Sequence, residues 1–285
     1  DGDVAFCGGI NLLDDHHDPN HGPLEQPRLD FAVRVRGPLV GDVHDTMTRL
    51  WWRLQTARKL RQADPEGALA AVRAAASAGV EEPAHSRRMG PGVRASLVLR
   101  DNFRFRRRIE SVYRLAISQA RREIVIANAY FVPGVQLQRA LIRAARRGVK
   151  ITLLLQGRYE YFMQYHASRA AYGPLLDAGV EIIEYEASFL HAKVAVMDTP
   201  HGALSTVGSS NLDPFSLLLA REANVFVRDD GFAAEVMAHL RHAIAHHGKR
   251  VAPDAHARRS LTTRIANWLA YAGMRLMIMI AGKRY

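Results

Sequence analysis

Between Ser96 and Ile244 apolar runs alternate with helical stripes, and this alternation constrains the 285-residue chain most, because such a pattern folds into a layered α/β domain. Ser96 to Leu99 is a strand-like run. Ile109, Val112, Tyr113, Ala116, Ile117 and Ala120 then recur at i, i+3, i+4, i+7, i+8 and i+11, which lines one face of a helix. Glu123 to Ala129 predicts a buried strand. Leu137, Ala140, Leu141, Ala144 and Ala145 repeat the stripe, Gly148 ends it, and Lys150 to Leu155 is the next strand. A third helix is expected up to Gly179, with Val180 to Tyr185 as its strand. Leu190 to Met197, Ala203 to Val207 and Ala223 to Val227 read as three closely spaced strands. Phe232, Val236, Leu240 and Ile244 form the inward face of a last helix.

Less regular regions flank this body. Residues 41–78 read as helical, and Gly79 to Gly92, with Pro83, Gly90 and Pro91, reads as a linker. The expected divisions are therefore 1–92, 93–250 and a tail, 251–285, that lies outside the core. The tail mixes Arg258, Arg259, Arg264 and Arg275 with Trp268, Leu269, Tyr271, Leu276, Met277, Ile278 and Ile280. No apolar run reaches the ~20 residues needed to cross a bilayer, so the tail reads as an amphipathic helix lying in a membrane interface.

An internal repeat organises the chain further. Asp1 is followed by an apolar run and Gly8-Gly9-Ile10-Asn11, as Asp198 is followed by a turn, an apolar run and Gly208-Ser209-Ser210-Asn211. Downstream of each copy an acid opens a strand: Asp30-Phe31-Ala32-Val33-Arg34-Val35-Arg36 matches Glu222-Ala223-Asn224-Val225-Phe226-Val227-Arg228. The chain thus holds two copies of one ending. Arg94 and Asp198 stand 104 positions apart, so copies of equal length would put a comparable stretch before Asp1, and the chain reads as cut inside a domain.

Chemistry concentrates in the second copy. On a strand from Leu190 to Met197, His191 and Lys193 share one face while Ala192, Val194 and Val196 share the other. An imidazole and an ammonium two residues apart suit a phosphate diester: the ammonium neutralises its oxygens while the imidazole attacks or moves a proton. Gly208 would let the backbone approach an anion, and Ser209 and Asn211 would donate to its oxygens. Glu222 is expected to accept from the second ring nitrogen of His191. Asp198 is grouped with these residues, with a structural role at the strand end as its simplest reading. Tyr130 follows a central strand and is a candidate substrate contact.

His-x-Lys-x4-Asp, then Gly-Ser-x-Asn and a later Glu, here His191, Lys193, Asp198, Gly208, Ser209, Asn211 and Glu222, resembles the phospholipase D superfamily. Arg121 to Pro133 and Val207 to Pro214 look like bacterial cardiolipin synthases of the B type, and the likeness runs from about Asp1 to Asp229. The resemblance implies a phospholipase D-like domain: a mixed central sheet flanked by helices, with a complete second half and the remnant of a first. It implies a two-motif enzyme that needs no metal or other cofactor. One histidine becomes a phosphohistidine; His191 is the general acid/base. Asp1 is then the last residue of the first motif, Asn11 its phosphate-side donor and Asp30 the partner of the first-motif histidine. This chain alone, without that histidine, is expected to be inactive. Phosphatidylglycerol is the implied donor and acceptor, giving cardiolipin and glycerol, at the cytoplasmic side of a bacterial inner membrane as a peripheral protein. The competing readings are hydrolysis by the same chemistry, as a phospholipase D or nuclease, and a catalytically incomplete lipid-binding fragment.

The net charge of +11 and pI near 10.2 favour polyanionic partners and fit either nucleic acid or an anionic membrane surface. The apolar basic tail favours lipid, so no nucleic acid partner is expected. Oligomeric state is not legible. Cys7 is the only cysteine, which excludes a disulfide framework. Asp14-Asp15-His16-His17-Asp18-Pro19-Asn20-His21 clusters carboxylates and imidazoles, but its spacing fits no standard ligand set and it reads as a solvated loop.

Overall fold

The computed structural model describes residues 2–77, 92–101, 105, 107–214, 216 and 220–280; Asp1 and the expected linker, apart from Gly92, therefore lie outside the described residues. The chain divides into two compact units, Asp1–Phe6 with Arg34–Leu97, and Cys7–Val33 with Val98–Tyr285. The expected division at residue 92 is thus drawn differently: Cys7–Val33, the heart of the first copy, belongs with the second.

Strand β1 (Val4–Gly8) pairs with β4 (Ala32–Arg36), and between them lies the short ladder of β2 (His17–Asp18) and β3 (Gly22–Pro23). The helical stretch expected over 41–78 is two helices, α1 (Leu39–Arg61) and α2 (Pro65–Ser77). Pro65 disfavours helical backbone at the residue before it, and Ala63 takes a left-handed φ of 55°. Asp64 then accepts from the Gly67 N–H at 2.8 Å and caps the second helix.

Strand β5 (Arg94–Arg100) begins in the smaller unit and ends in the larger, which also carries α3 (Arg108–Gln119), β6 (Glu123–Asn128), α4 (Val135–Arg146), β7 (Lys150–Gln156), α5 (Phe162–Ala170), α6 (Tyr172–Leu176), β8 (Glu181–Tyr185), β9 (Lys193–Thr199), β10 (Gly202–Gly208) and β11 (Glu222–Arg228). It ends in α7 (Asp230–His247), β12 (Gly248–Arg250), α8 (Pro253–Ala257) and α9 (Leu261–Ile280). Eight strands form one mixed sheet in the order β12-β8-β7-β6-β9-β10-β11-β5. β6, β7 and β8 run parallel; β9 is antiparallel to β6, and β10 to both β9 and β11. This is the mixed sheet with flanking helices that the alternation predicts. The central strands are buried on both faces, which explains their near-continuous apolar runs. Ile109, Tyr113 and Ile117 of α3 and Leu137 and Leu141 of α4 pack with Ile124 and Ile126 of β6 in one hydrophobic cluster.

Three expectations change. The helix before Gly179 is two pieces, because Pro174 has no N–H with which to continue the ladder of α5. The strand expected to start at Leu190 starts at Lys193. Residues 189–191 instead pair with Leu29: its N–H donates to Phe189 O at 3.0 Å, and the His191 N–H donates to Leu29 O at 2.9 Å. The tail is not outside the core, since Ala270 and Met274 of α9 are buried in a small cluster with Val132 and Ala167 of α5.

Candidate active site

The bridge between Leu29 and Leu190 sets the site, because it delivers the next residue of one segment, Asp30, to the next residue of the other. His191 Nδ1 lies 2.7 Å from Asp30 Oδ2. Asp30 Oδ1 accepts from the Phe31 N–H at 2.7 Å, so the carboxylate is held from both sides. An acceptor at Nδ1 fixes the ring hydrogen there and leaves Nε2 to take or give a proton. This corrects the expected pairing of His191 with Glu222, and with it the assignment of Asp30 to a first-motif histidine. Glu222 instead accepts a hydrogen bond from the Ser209 hydroxyl, and the Ala223 N–H donates to that hydroxyl at 3.1 Å. The carboxylate–imidazole contact joins the two copies of the repeat rather than lying within one.

Lys193 is the first residue of β9 and is 2% exposed. Its ammonium donates to the His191 carbonyl. Burial lowers its pKa from 10.5 to about 8, and the nearby carboxylates of Asp30, Glu222, Glu160 and Asp213 partly offset that loss. The amine is therefore still mostly charged at neutral pH. Burial raises the pKa of Glu222 despite hydrogen bonds from Ser209 and Ser216 that favour its charged form.

Gly9 is the site residue that sequence reasoning passed over. A methyl group there would stand 2.9 Å from Asp30 Oδ1 and 2.9 Å from Lys193 Cδ, so only glycine lets the acid and the lysine close together. Its signal was the alignment of Gly8-Gly9 with Gly208-Ser209, and the structure shows the two copies built alike. The Gly9 N–H donates to Phe31 O at 3.2 Å; the Ser209 N–H donates to Ala223 O at 3.0 Å. Gly8 and Gly208 each press on the opposite strand, where a Cβ would meet Phe31 O at 2.3 Å and Ala223 O at 2.5 Å. Gly208 thus serves strand packing, not the approach of an anion that its position suggested.

Asn211 is 8% exposed, and its Oδ1 accepts from the Tyr130 N–H at 3.4 Å. The fully buried Asn128, at the end of β6, accepts from the Leu212 N–H at 3.0 Å and so fixes the loop that carries Asn211. Tyr130 donates its hydroxyl to Glu160 at 2.7 Å, which places this residue pair, Glu160 unforeseen, among the groups around Lys193. Asn11 is exposed. Asp198 is not with these residues. It closes the far end of β9, about 17 Å of strand from Lys193 at ~3.3 Å per residue. There it accepts from the backbone N–H groups of Arg121, Arg122 and Glu123 at 3.3, 3.0 and 2.9 Å, and ties β9 to the start of β6. Burial would raise its pKa, but these donors bring it below the usual carboxylate value. Its role is structural. In the acidic loop, Asp18 binds His21 Nδ1 at 2.8 Å and also Arg28, so its carboxylate organises the loop itself.

A histidine held by a carboxylate, a buried lysine beside it and a serine–asparagine loop, on a mixed sheet with two copies of one ending, is an arrangement of the phospholipase D kind, and the chain carries a phospholipase D-like domain. Residues 113–244 match the family described as cardiolipin synthase, PLD-like domain. The chain is 37% identical over 254 residues to cardiolipin synthase B of Escherichia coli K12, covering 86% of this chain and 54% of that one. It is 38% identical over 258 residues to cardiolipin synthase B of Salmonella typhi, covering 87% and 54%. It therefore spans about half the length of the curated relatives it matches. Phosphatidylserine synthase of Haemophilus influenzae Rd KW20 shares the fold, with a TM-score of 0.61 at 11% identity over 90% of this chain and 64% of that structure.

Proposed function

We propose that this chain carries the acid/base half of a cardiolipin synthase, which moves a phosphatidyl group from one phosphatidylglycerol to another. The contact of His191 Nδ1 with Asp30 carries this reading, since it prepares Nε2 for proton transfer. In the first step an imidazole nitrogen of the first-motif histidine attacks phosphorus; the bond to the glycerol oxygen breaks, and His191, as imidazolium, gives that oxygen its proton. In the second step His191 takes a proton from a hydroxyl of the acceptor phosphatidylglycerol. That oxygen attacks phosphorus, the N–P bond breaks, and cardiolipin leaves. Lys193 neutralises the non-bridging oxygens and the Asn211 side-chain amide donates to them, so the developing charge meets preorganised donors; the Ser209 hydroxyl, already given to Glu222, holds that carboxylate instead. By the matching construction of the two copies, Glu222 is the counterpart of Asp30 and faces the first-motif histidine. The chemistry calls on no metal or cofactor.

The protein works as a peripheral enzyme on the cytoplasmic side of a bacterial inner membrane. Among the described residues no helix is long and apolar enough to cross a bilayer. The deciding measurement is cardiolipin formation from phosphatidylglycerol by the product of the whole open reading frame. His191→Ala abolishes it while leaving the fold intact; cardiolipin formation that survives His191→Ala would sink the assignment.

A further inference from the structure

Helix α9 has two apolar faces, and among the described residues only one is packed. Its inner face holds Asn267, Ala270 and Met274, at 3, 5 and 0% exposure. Asn267 hydrogen-bonds His166 of α5 at 2.7 Å, and Ala270 and Met274 pack with Ala167, so the helix is fixed in rotation. At 3.6 residues per turn, Leu261, Ile265, Trp268, Leu269, Leu276 and Met279 fall together on the opposite side. They stand open to solvent, from 49% for Ile265 to 69% for Leu261, with Trp268 at 64%. A contiguous apolar ridge of this kind marks an interaction surface.

The charges beside the ridge select its partner. Arg264 and Arg275 are exposed along one flank of the same helix. No Asp or Glu follows Asp254 in the sequence, so the whole segment from Ala255 onward is uniformly basic. An outward apolar stripe carrying a tryptophan, bordered by arginines and free of acids, matches the boundary between the headgroups and acyl chains of an anionic bilayer. We propose that the outward face of α9 docks the protein on an anionic phospholipid surface, a step that rests on the lipid-substrate reading above. The docked face is coupled to the catalytic residues by α5. Tyr161 and Phe162, both exposed at the start of α5, stand next to Glu160; the Tyr161 ring meets Tyr130 edge-on with centroids 6.4 Å apart, and Tyr130 adjoins Asn211.

Sedimentation of the 285-residue chain with vesicles of equimolar phosphatidylglycerol and phosphatidylcholine, against vesicles of phosphatidylcholine alone, tests this. The chain is expected to pellet with the anionic vesicles. Ile265→Glu with Trp268→Glu lowers that binding by about tenfold or more, and Arg264→Glu with Arg275→Glu lowers it on anionic vesicles only. All four positions are exposed, and circular dichroism checks that the variants stay folded. Unchanged binding by the Ile265/Trp268 variant overturns the proposal, as does a parent chain that stays in the supernatant. A parent chain that dimerises through this face, and is returned to monomer by the same substitutions, assigns the face to a second copy instead. Turnover of a soluble short-chain phosphatidylglycerol by the complete protein without vesicle binding removes the docking surface alone. Vesicle binding without any turnover removes the enzymatic reading and keeps the surface.

Discussion

Asp30 and His191 are 161 positions apart in the chain and 2.7 Å apart in space, so the histidine of the second copy takes its carboxylate from the first. The carboxylate orients the imidazole and stabilises it when charged. Replacing Asp30 with Asn keeps the shape but removes the charge that the imidazolium would face. The expected loss in kcat/KM for cardiolipin formation by the complete protein is roughly 10²-fold, a size usual for residues that orient a reacting histidine. Glu222→Gln, by contrast, leaves the His191 contact in place. Equal retention of activity in Asp30→Asn and the parent would show that the contact is idle.

Lys193 gives the site a pH dependence whose sign can be worked out. Its pKa falls from 10.5 in the unfolded chain to about 8 in the folded one, chiefly by burial. Between pH 8 and 10.5 the unfolded chain binds the extra proton, so this residue makes unfolding free energy rise with pH across that window. The full contribution is about 3 kcal/mol at 1.36 kcal/mol per unit. Activity is expected to move the other way, because the charge proposed to hold the phosphate is lost above pH 8. Urea melts at a series of pH values should show a slope in the parent that Lys193→Met lacks, and kcat/KM of the parent should decline above pH 8. A flat stability profile in the parent would contradict the burial of a charged amine.

The alternation of periods was enough to place the sheet and its flanking helices, because strands buried on both faces leave unbroken apolar runs such as Ile124 to Ala127. The motif spacing was enough to pick out Lys193, Ser209 and Glu222, which neighbour one another, and Asn211, which sits against the Tyr130 backbone. What it could not supply was the partner of His191. The spacing within one copy says nothing about which copy a side chain faces, and Leu29 captures the strand start at Leu190 through long-range backbone pairing with no local signature. Gly9 was marked only by the alignment of Gly8-Gly9 with Gly208-Ser209, since a glycine required by a close contact otherwise looks in sequence like a glycine in any turn. Asp198, grouped with the motif but read most simply as structural, is so: its fixed distance from the histidine reflects the length of β9, not shared chemistry.

That separation predicts a split between stability and rate at Asp198. Replacing it with Ala leaves the N–H groups of Arg121, Arg122 and Glu123 without their acceptor at a partly exposed edge. The cost should be on the order of 1–3 kcal/mol, the usual range for losing a charged hydrogen-bond partner. Thermal melts should register that loss, while kcat per folded molecule stays within about twofold of the parent, since the effect does not reach the far end of the strand. A collapse of kcat with an unchanged melt would return Asp198 to the chemistry.

The two glycine contacts predict different failures from the same substitution. At Gly9 the added methyl of Gly9→Ala meets the Asp30 carboxylate and the Lys193 stem, both side chains able to move by a few tenths of an ångström. The protein should fold, losing about 1 kcal/mol, but Asp30 must retreat from His191, and activity should fall at least about tenfold. At Gly208 the methyl meets Ala223 O at 2.5 Å and the Asn224 side chain at 2.3 Å, where a backbone strand must yield. Gly208→Ala should therefore cost about 2 kcal/mol or more and reduce soluble yield before any change in kcat can be read. Melting curves and single-turnover rates measured side by side separate the two. If Gly9→Ala kept full activity, the close packing of Asp30 against Lys193 would not be what holds the histidine in place.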